Sequence, residues 1–126
     1  MDTVTVRAAI VDVLREREAQ KIWRHYLPGE PMQLLFAEQE HVKASVHWAG
    51  KAWEVTLRPG EEGDWRFYLL HELAHVKLSH LARRVPRKSA EATFNPDNWS
   101  ERERARIVEQ EELANAFATL ERPRWR

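Results

Sequence analysis

His71, Glu72 and His75 stand in the order H-E-x-x-H inside the apolar stretch Trp65–Leu81. On a helix, residues four apart lie about 40° apart around the axis, one turn above the other. Both imidazoles therefore aim at one point and can share a metal ion. Glu72 lies about 100° round from His71, where a carboxylate can take a proton from an activated water without itself ligating. The same spacing also suits two hydrogen-bonded histidines on a core helix, so the pentapeptide alone leaves both roles open. No Gly or Pro occurs between Asp64 and Val85, which predicts an unbroken helix around it.

A second candidate comes from the end of the sequence. Ser100-x-x-Glu103 is a capping box that opens a helix predicted to run to about Leu120, ahead of Pro123. On that helix Ile107, Val108, Ala114, Asn115 and Ala118 fall within about 60° of Glu111. Glu112 instead shares the most polar side with Glu101, Ala105, Ala116 and Thr119, and Leu113, Phe117 and Leu120 form a second apolar arc. Glu111 is thus the acid expected to point inward. An inward carboxylate is costly unless compensated, and either a divalent metal or an arginine from the polar loop 83–98 would compensate it. His80 lies about 180° round from His71 on a straight helix, so it is expected to support the site or the fold rather than ligate. His25 and His47 are expected at the surface.

The elements that must position these groups follow from periodicity. Thr5–Tyr26 reads as a first helix with the stripe Val6, Ile10, Val13 and Leu14, and with Ile22, Trp23 and Tyr26 packing its last turns. Leu27-Pro28-Gly29-Glu30-Pro31 ends it. Three strand candidates follow, at Met32–Ala37, Val42–Trp48 and Trp53–Leu57, the last two joined by a turn at Ala49-Gly50-Lys51. The predicted fold class is α+β: an N-terminal helix, a small antiparallel sheet of two to three strands, the H-E-x-x-H helix and a final helix. One sheet face should pack on the helices. A strand at the sheet edge would suit an extended peptide, which binds by adding to it. On the central helix Phe67, Leu70, Ala74, Leu78 and Leu81 make the expected apolar arc.

Composition narrows the function classes. The 126 residues are predicted to form one domain, 1–126, with 43% hydrophobic and 32% charged residues. Twenty basic residues balance twenty acidic ones, which gives no electrostatic case for nucleic acid. There is no cysteine, so disulfides and thiolate ligands are excluded and a metal must be held by nitrogen and oxygen. No apolar run reaches membrane-spanning length and no basic leader precedes one, so a cytoplasmic protein is expected. Nothing indicates the oligomeric state.

Trp65-Arg66-Phe67-Tyr68-Leu69-Leu70-His71-Glu72-Leu73-Ala74-His75 resembles the R-F-x-x-x-H-E-L-[GA]-H segment of the ImmA/IrrE family of metallopeptidases. Glu111-Glu112-Leu113-Ala114-Asn115-Ala116-Phe117-Ala118 is similar to that family's second motif, E-x-x-A-N-x-F-A. The resemblance implies a minimal zincin-like domain with a gluzincin-type Zn2+ site. It implies His71, His75 and Glu111 as ligands, Glu72 as general base and Asn115 as a support behind the ligands. The activity implied is endopeptidase cleavage of a protein or peptide, such as a repressor-like regulator. Tyr68, His80 or a loop side chain would stabilise the oxyanion. The chain departs from the pattern where Thr119-Leu120-Glu121-Arg122-Pro123 stops the last helix. Two other classes stand beside the enzyme: a noncatalytic zinc-containing module that binds a regulator or antitoxin-like partner, and a metal-free helical scaffold. The presence of Glu72 favours the enzyme, because metal binding alone does not need it.

Overall fold

The computed structural model describes residues 3–37, 44–58, 64–78 and 100–125, with side chains from Val13 onward in the first helix. In chain order these form α1 (Thr3–Tyr26), β1 (Met32–Phe36), β2 (Ala44–Trp48), β3 (Trp53–Leu57), α2 (Trp65–Lys77), α3 (Glu101–Glu121) and a short 3-10 turn (Arg122–Arg124). The described residues are thus α+β, three α-helices with one three-stranded sheet. None of these helices is long and apolar enough to cross a membrane.

Local chemistry sets the turns. Gly29, with φ of 85°, follows the end of α1, and Gly50, with φ of 93°, lies in the β2–β3 hairpin. Glycine takes these positive angles without the Cβ clash that other residues suffer. The hairpin closes with Ala49 N–H donating to the Ala52 carbonyl at 2.9 Å. Its strands pair antiparallel, Val46 opposite Val55 and Trp48 opposite Trp53.

The sheet is mixed rather than antiparallel, which corrects the expectation from sequence. β1 lies parallel to β3, with Leu34 opposite Val55, and the strand order is β1-β3-β2. Placing β3 in the middle gives Trp53, Val55 and Leu57 a neighbouring strand on each edge, and all three are buried. Alternation along a strand fixes which side chains share a face, but not which neighbour the strand chooses or its direction.

The core lies between the sheet and the helices. Met32, Leu34, Val46, Trp53, Val55 and Leu57 pack with Ala19, Ile22 and Trp23 of α1, Leu69, Leu70 and Leu73 of α2, and Ala118 of α3. Burying each large side chain fully contributes about 1.5–3 kcal/mol. Two buried indoles at the seam find acceptors: the Trp23 indole donates to the Glu30 carbonyl at 2.8 Å, and the Trp53 indole to the Glu30 carboxylate at 2.9 Å. Arg66 of α2 holds Glu18 of α1 through two hydrogen bonds of 2.9 and 2.6 Å.

Several burial expectations are corrected. In α1, Val13 and Leu14 are 54% and 58% exposed, while Arg15, Ala19, Ile22 and Trp23 make the buried stripe. Those four lie on the opposite side of the helical wheel, because the larger residues Ile22 and Trp23 decide which face meets the sheet. His47 is buried rather than exposed, paired in register with Glu54 and 3.7 Å from its carboxylate. The second arc expected on α3 is exposed at Leu113 and, at 79%, Leu120, because the face bearing Ala114 and Ala118 meets the core. Leu78 caps α2 and is exposed too. His25 is at the surface, as expected. His80, Leu81 and the loop 83–98 lie outside the described residues.

Candidate metal centre

Two helices supply the site. α2 buries Leu69, Leu70, Leu73 and Ala74, and that anchoring directs His71, Glu72 and His75 toward the seam with α3. α3 starts as its capping box requires, with the Ser100 hydroxyl accepting from the Glu103 N–H at 3.2 Å. It approaches α2 on the small buried residues Ala114 and Ala118, which allow close contact. The start of α2 lies beside the end of α3, since Asp64 pairs with Arg122, so the helices run antiparallel.

Three donor groups converge at this seam. His71 Nε2 lies 2.8 Å from Glu111 Oε2, and His75 Nε2 lies 3.0 Å from Glu111 Oε1. The two Nε2 atoms are 3.2 Å apart, with the rings edge to face. Donors bound at about 2.0–2.2 Å in a tetrahedral arrangement stand about 3.3–3.5 Å from one another. The observed separations fall a few tenths of an ångström short of that, so zinc fits with a small outward movement of the carboxylate. Two imidazole nitrogens and a carboxylate are also the donor set that zinc accepts without thiolate. Both histidines are largely buried, whereas the Glu111 side chain is 47% exposed, which leaves the centre open on the α3 side.

The electrostatics couple the four groups. Burial disfavours the Glu111 anion, but hydrogen bonds from His71 and His75, with their charge, hold its carboxyl well below the usual carboxylate range. Burial pulls the His71 imidazolium down, yet its bond to Glu111, the charges of Glu72 and Glu111 and a hydrogen bond to Asn115 leave it raised overall. Glu72 is buried in α2, and desolvation pushes its carboxyl up against the opposing pull of His75 and His71.

The structure thus brings His71, His75, Glu111, Glu72 and Asn115 together and leaves Glu112 exposed. Tyr68 is half-buried one turn before His71, with its ring edge-on to Phe67. One contact that matters for the seam was not foreseen from sequence, the ion pair of Asp64 with Arg122. Asp64 just before Trp65 is readable as a helix cap, but its partner lies 58 positions away. No family model, curated protein or solved structure matches the chain.

Proposed function

We propose that this chain is a zinc-dependent endopeptidase of the gluzincin type, with a minimal zincin-like fold, acting in the cytoplasm on a regulatory protein such as a repressor. The observation that carries this reading is the meeting of His71 Nε2, His75 Nε2 and both Glu111 oxygens at one point, with Glu72 buried beside them. The resemblance of the two motifs to the ImmA/IrrE family supports the same assignment.

Zinc, when bound, would supply a Lewis acid for the scissile carbonyl and for an attacking water. His71, His75 and Glu111 would hold the ion, and Asn115 would steady the His71 ring through its hydrogen bond. Glu72, buried beside the two histidines, would take the proton of the attacking water and deliver it to the leaving amine. Among the described residues β2 lies at one edge of the sheet and packs against α2, the place where an extended peptide substrate would add.

The test combines metal analysis with one substitution. Purified protein should carry one zinc per chain, and Glu72→Gln should keep it while losing about 10²–10⁴-fold in cleavage rate of unfolded casein or a repressor panel. Full activity in Glu72→Gln would reject the mechanism. Metal held by Glu112 in place of Glu111 would reject the site.

A further inference from the structure

Asp64 is the N-cap residue of α2, with the extended backbone of a cap, φ −95° and ψ 90°, yet its side chain makes no capping hydrogen bond. Aspartate at this position ordinarily accepts from the free N–H groups of the first turn. Here its carboxylate goes to Arg122 Nε instead. Arg122 also donates to the Trp125 carbonyl, and the Trp125 indole donates to the Tyr26 hydroxyl of α1 at 3.0 Å. One guanidinium thus joins the start of the histidine helix to the end of the glutamate helix and, through Trp125, to α1.

α3 has a particular need for such a tie. Its two buried residues are both alanines, which give close approach but little interlocking, and the partly buried Phe117 meets Tyr26 of α1 edge-on. A slip of one residue would move Glu111 by about 1.5 Å, several times the misplacement a metal site tolerates. Arg122 lies about three turns beyond Glu111, roughly 16 Å along the helix, too far to touch the ion.

We propose that the Asp64–Arg122 pair is a positioning device that sets the axial register of α3 against α2, and thereby how tightly His71, His75 and Glu111 hold zinc. The proposal rests on the metal-site reading above. It makes metal affinity depend on two residues that never contact the metal.

The experiment titrates zinc into metal-free protein against a zinc-chelating indicator dye, for wild type, Arg122→Ala, Arg122→Lys and Asp64→Ser. Serine can still cap α2 but is too short and uncharged to hold Arg122, and this variant leaves the Arg122–Trp125 bond in place. Arg122→Ala and Asp64→Ser should each weaken zinc binding about twofold to tenfold, while Arg122→Lys retains most of the affinity. Melting of the metal-free variants, followed by circular dichroism, should move little, since the freed Asp64 or the introduced serine can cap α2. Wild-type affinity in both Arg122→Ala and Asp64→Ser would overturn the proposal, as would a lysine variant no better than alanine. If wild type itself takes up no zinc, the site reading falls with it, and the first titration alone identifies that case.

Discussion

Glu111 carries two interactions with its two oxygens, and this makes the metal-free site sensitive to pH. Its folded-state pKa is depressed, so its contribution is complete above the ordinary 4.5 and is lost as pH falls through the folded value. His71 is raised, so its contribution is complete below the ordinary 6.5 and is lost as pH rises through its folded value. The stability advantage of metal-free wild type over Glu111→Gln should therefore be largest between about pH 4.5 and 6.5 and shrink on either side. Thermal melts of the two proteins across that range measure it, and a difference that grows steadily toward pH 8 would contradict the pairing. His71→Ala should lose zinc as well, because two protein ligands rarely retain it. Much of this site was legible beforehand: the four-residue spacing aims His71 and His75 together, and the helical wheel separates Glu111 from Glu112. Asn115 followed from resemblance alone. His47 was misjudged because its polar partner, Glu54, belongs to a neighbouring strand that alternation does not identify.

At the scale of elements, His71 and His75 of α2 meet Glu111 of α3, so a metal bound there would be linked to helix docking. Metal that binds only the folded chain stabilises it by about 2.7 kcal/mol at a hundredfold excess over Kd. A chelator should lower the melting temperature and zinc should restore it, with amide exchange rising in α3 before it rises in the β2–β3 hairpin. Equal protection of both segments after chelation would show that the helices dock without help from the metal. The seam should also resist enlargement: Ala118→Leu, at a fully buried contact, should cost about 1–3 kcal/mol and weaken zinc uptake. Helix ends were readable because Ser100, Pro28 and Gly29 act locally. The exposed sides were not, since the periods of Val13 with Leu14 and of Leu113 with Leu120 mark an apolar face without saying which face finds a partner.

For the molecule as a whole, the fold class followed from periodicity, whereas the parallel pairing of β1 with β3 did not, because it joins segments that no short window contains. Trp23 is the largest fully buried side chain among the described residues and reaches the strand region through Glu30, so Trp23→Ala should cost about 3–5 kcal/mol by urea denaturation. The central place of β3 also has a consequence in time. β2 and β3 are joined by a tight turn and can meet within microseconds, whereas every β1–β3 pair must close a loop of about twenty residues. β1 has no edge to dock on until β3 is laid down, and β3 acquires its first neighbour from the hairpin. The order of assembly is therefore the reverse of the order of synthesis for these strands. Trimming Val55 to alanine should slow refolding, while Leu34→Ala should chiefly hasten unfolding. β1 leaves the ribosome before β3 and waits for it.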